Sequence, residues 1–128
     1  MVHRKIMVVD DEPDVVTFIK RTLETEGYEV VSAYDGISAL DLAEMEQPDL
    51  ILLDIMMPMM SGYEVCEQLK INPQTQGIPV VCISSAHAQD AWTKTQAVGA
   101  VTLLVKPFSP AELLAQLKFY LPDAKERV

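Results

Sequence analysis

Four short runs of apolar residues recur along the chain, and each is nearly continuous rather than alternating with polar residues. Continuous apolar runs of this length are typical of parallel β-strands that are covered by helices on both faces. A fifth stretch, Glu29–Ala33, is more polar and follows a Gly-Tyr turn, which predicts a strand nearer the edge of the sheet. The four buried strands are predicted at Ile6–Val9, Leu50–Leu53, Val80–Ile83 and Val101–Val105.

The segments between these runs have apolar residues at helical spacing and residues that commonly begin or end helices. The first predicted helix has Pro13 in its first turn, ends at Gly27 and carries Val15, Ile19 and Leu23 on one face. Three further helices are predicted over about 37–45, where a proline at 48 stops the helix, about 62–69, and about 88–98, where a glycine at 99 closes it.

The fifth helix has the clearest start. Ser109 supplies a hydroxyl cap, Pro110 occupies the first turn, and Glu112 stands where a capping box needs its carboxylate. Its predicted core face consists of Leu113, Leu114, Leu117 and Leu121. Five strands therefore alternate with five helices, which predicts an open α/β sheet with helices on both sides.

The composition is that of one compact domain. A chain of 128 residues with 49% hydrophobic and 23% charged residues is long and apolar enough to bury its own core. No linker or repeat interrupts the pattern, so one domain is expected over residues 1–128. The polar tail that follows the last helix leaves no room for an output domain, and we expect the chain, if complete, to act through its surfaces.

Charge and cysteine content limit the classes of function. The net charge of -9 argues against direct nucleic-acid binding, because duplex binding relies on a basic face. The apolar stretch near the start is too short for a signal peptide or a membrane span, so we expect no membrane association and a cytoplasmic location. Cys66 and Cys82 have neither zinc-site nor CxxC spacing and are predicted to be reduced core residues.

Polar side chains follow four of the predicted strands. Ligands of open α/β sheets bind at the carboxyl ends of the strands, which lie side by side at one edge. A single aspartate after a strand often does no more than begin a turn, but several polar strand ends are expected to meet. The groups concerned are Asp10 and Asp11 after the first strand, Asp54 after the third, Ser84 and Ser85 after the fourth, and Lys106 after the fifth.

This set of groups indicates phosphoryl transfer. Carboxylates in contact repel one another unless a cation relieves them, and Mg²⁺ prefers such oxygen ligands. A metal, a lysine and a hydroxyl together stabilise a transferring phosphoryl group. The nucleophile is expected to be a carboxylate, since a serine would need a general base and neither His3 nor His87 is obviously placed as one. Asp54 is the best placed of the three aspartates.

Several segments closely resemble the signature segments of bacterial response-regulator receiver domains. The resemblance covers nearly the whole chain, and it is strong because the motifs occur in the expected order and spacing. The segments are Val8–Glu12 (VVDDE), Leu52–Pro58 (LLDIMMP) with Gly62, Ile83–Ala86 (ISSA) and Val105–Phe108 (VKPF).

The resemblance implies a flavodoxin-like, doubly wound fold with strand order 2-1-3-4-5, similar to single-domain chemotaxis regulators. It implies that a sensor histidine kinase or a histidine phosphotransfer protein phosphorylates Asp54. A downstream protein would then bind the face formed by the fourth helix, fifth strand and fifth helix. Such a chain is a timed switch rather than a metabolic enzyme, because it catalyses only its own phosphorylation and dephosphorylation. We expect a monomer or a weak dimer.

The resemblance also implies a role for each site residue. Mg²⁺ would be held by Asp10, Asp11, Asp54 and the backbone carbonyl of Met56. Ser84 would bond a phosphoryl oxygen and Lys106 would pair with the phosphoryl group, with a cis peptide bond between Lys106 and Pro107.

The chain departs from the receiver pattern in the region that relays the signal. Receivers commonly have Tyr or Phe three residues before the lysine, where this chain has Leu103. We therefore expect the signal to leave by a different movement of the fourth helix and fifth strand. Val101, Thr102 and Gln116 occupy positions where many DNA-binding regulators have charged residues, so their typical dimer interface is not expected.

Two other functions are compatible with parts of the pattern. Hydrolases of the haloacid-dehalogenase type also use a strand-end aspartate and Mg²⁺, but they normally have a second aspartate two residues on, where this chain has Met56. A receiver that acts as a scaffold without phosphorylation would have the same fold.

The methionines around Pro58 fit either core filling or an adaptable surface, and Trp92 fits either a partner contact or a ring packed on its helix.

Overall fold

The structure, a computed structural model, describes residues 4–85 and 89–121. His3, His87 and Ala86 lie outside the described residues. Five strands alternate with five helices, as the sequence predicts. The elements are β1 (Lys5–Val9), α1 (Pro13–Thr25), β2 (Glu29–Ala33), α2 (Gly36–Glu46), β3 (Leu50–Asp54), α3 (Gly62–Ile71), β4 (Val80–Ser84), α4 (Gln89–Ala97), β5 (Thr102–Val105) and α5 (Pro110–Tyr120).

The strands form one parallel sheet in the order β2-β1-β3-β4-β5, which confirms the predicted order. Every residue of β3 and β4 is buried, whereas β2 lies at an edge and its residues are mostly half-buried or exposed. The apolar continuity of the inner strands and the polarity of Glu29–Ala33 thus follow from their positions in the sheet.

Successive strand side chains point to opposite faces and form two cores. Ile51 and Leu53 belong to the first core, which packs against α2 and α3, whereas Leu50 and Leu52 belong to the second, which packs against α1 and α5. Helix side chains in the first core are Ala39, Ala43, Val65, Cys66 and Leu69. Those in the second core are Val16, Ile19, Leu23, Leu113 and Leu117.

The helix ends follow the predicted signals closely. After α1, Gly27 has a φ of 90°, the left-handed conformation that glycine adopts without strain. At α5, the Ser109 hydroxyl accepts a bond from the Glu112 amide at 3.1 Å, and the Glu112 carboxylate accepts one from the Ser109 amide at 3.4 Å. This arrangement confirms the predicted capping box. Gly99, with a φ of 89°, follows α4.

Some predicted details differ from the structure. Val16 rather than Val15 is fully buried in α1, because the helix presents Val16, Ile19 and Leu23 to the second core and leaves Val15 at its margin. In α5, Leu114 is only half-buried beside that core.

Strand and helix boundaries also shift by a residue or two. Strand β5 begins at Thr102, one residue later than predicted, and Val101 before it is exposed. Helix α2 begins at Gly36, where the Asp35 carboxylate accepts a bond from the Ser38 amide at 2.8 Å. The predicted first residue of α4, Ala88, lies outside the described residues.

Two predictions made from the sequence concern the cysteines and a possible membrane span. Cys66 and Cys82 are both free and buried in the first core, which confirms them as reduced core residues. None of the helices within residues 4–85 and 89–121 is long and apolar enough to cross a membrane.

Candidate functional site

The strand register brings the polar strand ends level with one another. Val9 lies opposite Leu53 in the β1–β3 pair, so the next residues, Asp10 and Asp54, are neighbours. Ser84 lies opposite Val105 in the β4–β5 pair. The side chains of Asp10, Asp54 and Ser84 are all buried, with Asp54 only 2% exposed. The structure therefore gathers the predicted groups at one edge of the sheet.

Lys106 supplies the cation of this cluster. Its ammonium nitrogen Nζ lies 3.2 Å from Asp10 Oδ2 and 3.9 Å from Asp54 Oδ2. The Lys106 amide donates to the Ser84 carbonyl at 2.7 Å, which fixes the end of β5 against the end of β4. The peptide bond between Lys106 and Pro107 is cis, as the resemblance implies.

The two buried carboxylates have matching local geometry. Asp10 Oδ1 accepts a hydrogen bond from the Glu12 amide at 2.9 Å, and Asp54 Oδ1 accepts one from the Met56 amide at 3.2 Å. Each aspartate thus binds the backbone two residues further on with Oδ1, while the contact with Lys106 is made by Oδ2. Oδ2 of each carboxylate therefore faces the Lys106 ammonium.

The electrostatic environment perturbs Asp54. The pKa of Asp54 is raised to about 6, mainly by burial and also by the nearby Asp10 carboxylate. The Met56 amide and the Lys106 ammonium act in the opposite direction, because both stabilise the ionised form. Two carboxylates, Asp10 and Asp11, thus raise the pKa of Asp54 and one ammonium lowers it, and a further cation would stabilise the ionised form.

An acidic cluster adjoins the buried pair. One carboxylate oxygen from each of Asp10, Asp11 and Glu12 lies within 4.8 Å of the others, with Asp11 half-buried and Glu12 exposed. Glu12 Oε1 is also 3.9 Å from Lys106 Nζ. Sequence reasoning gave Glu12 no role, although its position directly after two site aspartates was a signal. An all-oxygen, largely carboxylate donor set fits Mg²⁺.

The loop from Asp54 to α3 has an unusual backbone. Met59 has a φ of 69°, and around it the Met60 amide donates to the Pro58 carbonyl at 2.8 Å. The Met59 side chain is fully exposed and Met56 is 69% exposed, whereas Met57 is buried in the first core. The methionines around Pro58 therefore include both core filling and an exposed pair beside the site.

The match to a family model settles the identity of this fold. The model for the response regulator receiver domain matches residues 6–118, which include every site residue described above. The chain belongs to this family. The fold and the predicted family are thus confirmed, and membership is consistent with a phosphorylation-activated switch of a two-component system.

Known relatives of this receiver cover nearly all of it. It is 41% identical over 119 residues to the alkaline phosphatase synthesis transcriptional regulatory protein PhoP of Bacillus subtilis. That match covers 93% of this chain and 49% of PhoP, so the chain spans about half the length of this curated relative. The absence of an output domain stays a prediction.

Solved receiver structures share its architecture. Chemotaxis protein CheY4 of Vibrio cholerae is 33% identical with a TM-score of 0.90, and the match covers 94% of this chain and 100% of CheY4. The receiver domain of sensor histidine kinase PA1611 from Pseudomonas aeruginosa is 28% identical with a TM-score of 0.87, covering 95% of this chain and 100% of that one. The PA1611 structure is described as having a magnesium ion coordinated in the active site cleft.

Proposed function

We propose that Asp54 of this receiver accepts a phosphoryl group from a phosphohistidine on a sensor histidine kinase or a histidine phosphotransfer protein. The observation that carries this proposal is the position of Asp54 Oδ2, which is buried, 3.9 Å from Lys106 Nζ and beside the Asp10 carboxylate. A negatively charged oxygen next to one cation and next to metal-binding groups is what phosphoryl transfer to a carboxylate requires.

The chemistry at Asp54 is a displacement at phosphorus. An Asp54 carboxylate oxygen forms the new bond to phosphorus while the bond from phosphorus to the imidazole nitrogen of the donor breaks. The Met56 amide binds Oδ1, which leaves Oδ2 as the attacking atom. With a pKa of about 6, Asp54 is mainly ionised at neutral pH and therefore nucleophilic.

Lys106 and Ser84 act on the transferred group. The Lys106 ammonium reaches Asp10 and Asp54 and pairs with a phosphoryl oxygen after transfer. The buried Ser84 hydroxyl donates to another phosphoryl oxygen. The Ser84 carbonyl accepts a bond from the Lys106 amide, which holds the two residues side by side at the ends of β4 and β5.

Mg²⁺ fits the carboxylate edge of the site. We assign its ligands as Asp10, Asp11, Asp54 and the backbone carbonyl of Met56. When bound, the ion neutralises charge on the phosphoryl oxygens and relieves the repulsion between the carboxylates. The nearness of the carboxylates supports this assignment, since Asp10 and Asp11 both add to the effect of burial in raising the pKa of Asp54. The magnesium ion described for the PA1611 receiver supports it as well.

The phosphorylated chain then binds a downstream protein and later loses phosphate by slow hydrolysis, so the chain is a switch rather than an enzyme of metabolism. The proposed contact face consists of α4, β5 and α5. Among the described residues, Trp92 of α4, Phe119 of α5 and Val101, just before β5, are exposed large apolar side chains that suit a protein partner. The net charge of -9 argues against direct nucleic-acid binding, and we infer a location in the cytoplasm, as is typical of the family.

Intact-mass measurement tests the acceptor. The wild-type chain incubated with acetyl phosphate and MgCl₂ should gain the mass of one phosphoryl group, and EDTA should prevent the gain. Asp54→Asn should gain nothing, whereas Asp41→Asn, at an exposed position of α2, should behave as wild type. A labile phosphate on Asp54→Asn would overturn the assignment. Mg²⁺ binding without phosphorylation by any donor would instead favour a scaffold role.

A further inference from the structure

Helix α4 is held to the domain by little apolar surface. Among its described side chains, those that are buried are Ala91 and Thr95, both small. Helices α1 and α5 bury leucines and isoleucine in the second core instead. Since apolar burial scales with side-chain area, polar contacts contribute a larger share of what positions α4.

Two of these polar contacts come from α3. The Tyr63 hydroxyl donates to the Ala91 carbonyl at 3.4 Å, and the Cys66 thiol donates to the Val98 carbonyl at 3.4 Å. One lies near the start of α4 and the other just past its end. Burial raises the pKa of Tyr63, so its hydroxyl keeps the proton that it donates. Helix α3 therefore contacts α4 both near the start of α4 and just past the end of α4.

The Ala91 carbonyl has a second donor. The buried Thr95 hydroxyl donates to it at 2.6 Å, and a carbonyl oxygen has two lone pairs for such bonds. The shorter Thr95 bond lies within α4 and belongs to the helix itself. The longer Tyr63 bond joins two elements, and it is the one that changes if α3 and α4 move relative to each other.

The start of α3, where Tyr63 lies, is fixed to the phosphorylation site. Its first residue, Gly62, donates its amide to the Ile55 carbonyl at 3.2 Å, and a Cβ there would stand 2.6 Å from Ile55 Cα and even closer to the Asp54 carbonyl. A shift of the backbone after Asp54 therefore displaces Gly62. The next residue, Tyr63, moves with it.

The position that commonly carries a Tyr or Phe in receivers, three residues before the lysine, is Leu103 in this chain. Leu103 is half-buried against the first core and has neither an aromatic ring nor a hydrogen-bonding group. We propose that Tyr63 is the positioning residue that couples Asp54 to α4, through its hydroxyl contact with Ala91. This inference rests on the proposed phosphorylation of Asp54 and deepens it by naming the route to the partner-binding face.

The chain contains its own reporter for this coupling. Trp92 is its only tryptophan, lies on α4 next to Ala91 and is 44% exposed, so its fluorescence responds to movement of that helix. Beryllofluoride, which imitates a phosphoryl group on a carboxylate, is titrated in the presence of MgCl₂ while Trp92 emission is recorded. Wild type should show a saturable change that Asp54→Asn lacks.

Tyr63→Phe removes only the hydroxyl. It should keep the beryllofluoride midpoint within about twofold of wild type, because it leaves Asp54, Ser84 and Lys106 in place. The amplitude of the Trp92 change should fall below about half, because the contact between α3 and α4 is lost. The matched control is Tyr120→Phe, which loses a hydroxyl bond to the Val101 carbonyl of similar length, 3.3 Å, outside the α3–α4 contact. That control should keep both the midpoint and the amplitude.

The remaining outcomes contradict either the role of Tyr63 or the proposed phosphorylation of Asp54. An unchanged amplitude in Tyr63→Phe overturns the role of Tyr63, and so does a phosphorylated wild type in which Trp92 does not respond. A wild type that gains no phosphoryl mass from acetyl phosphate overturns the proposed function and this inference together. The retained midpoint in Tyr63→Phe shows that the variant is folded, so loss of fold cannot imitate loss of coupling.

Discussion

Gly62 packs directly against the backbone carbonyl of Asp54. A Cβ at position 62 would collide with that carbonyl and would lie 2.6 Å from Ile55 Cα, so no side chain fits. The constraint is one of space, because Gly62 is an ordinary helical residue at the start of α3. The glycine that follows the site loop is thus needed for the close approach of α3 to the site strand.

Substitution of Gly62 by alanine should destabilise the domain. Because the colliding atoms are backbone, the strand or α3 must shift, and we expect a loss of about 2 kcal/mol in the free energy of unfolding measured by urea denaturation. Gly77→Ala is the control, since nothing lies within 4 Å of its Cβ position. Equal stability of the two variants would contradict the close contact.

Asp54→Asn should stabilise the domain in a pH-dependent manner. The pKa of Asp54 is about 6 in the folded chain and about 4 when unfolded, so ionisation opposes folding above that range. In buffer with EDTA, the variant should exceed wild type by about 2 kcal/mol above pH 6, and the advantage should decrease to nothing by about pH 4. Urea titrations across this range measure it.

The direction of this pH dependence follows from whether the folded or the unfolded chain holds the Asp54 proton. Between about pH 4 and 6 the unfolded chain has lost the Asp54 proton while the folded chain retains it, so wild-type stability falls as pH rises through this window. Below it both states are protonated, and Asp and Asn are then equivalent. The exposed Asp41→Asn substitution is the matched control for removal of a carboxylate from the surface. A constant advantage of Asp54→Asn at every pH would contradict the raised pKa.

Lys106→Met should impair phosphorylation and shift its pH dependence. We expect the rate of phosphoryl uptake from acetyl phosphate to fall by at least about tenfold, because a positioned cation next to the phosphoryl group is lost. Lys106 also lowers the pKa of Asp54, so the variant should need a higher pH for half-maximal rate. Lys118→Met, at an exposed position of α5, should change neither quantity. A wild-type pH profile in Lys106→Met would exclude the charge effect.

Met59→Asn should raise stability. Met59 has a φ of 69°, a conformation that is strained for most side chains and tolerated by Asn, and its own side chain is fully exposed. Relief of this strain should add about 0.5–1 kcal/mol to the free energy of unfolding. In Met45→Asn, another exposed methionine inside α2, the same exchange should lose about 0.5 kcal/mol, because Asn favours helices less than Met. A loss at both positions would refute the strain.

The sheet and the meeting of the site groups were predictable from the sequence for a simple physical reason. Strands covered on both faces must be apolar throughout, so runs such as Leu50–Leu53 stand out. Parallel strands also place their carboxyl ends at one edge. Once Asp10, Asp54 and Lys106 are assigned to strand ends, topology alone brings them together.

Other features depend on distances that leave no local pattern. The bond from Tyr63 to the Ala91 carbonyl joins two helices and has no signature in either segment. Whether Val15 or Val16 faces the core depends on a rotation of α1 that both residues allow equally well. The left-handed backbone of Met59 was hidden because methionine is not a residue that usually marks such a conformation.

The all-parallel sheet also governs how the chain reaches this structure. No two neighbouring strands can be joined by a tight hairpin, so each pairing must wait until an intervening segment has closed a loop. At the centre, the Lys5 amide donates to the Asp49 carboxylate across 44 positions of chain. Contacts of such long range form slowly during folding. Because Asp10 follows β1 and Asp54 ends β3, the site is complete only once these two strands have paired.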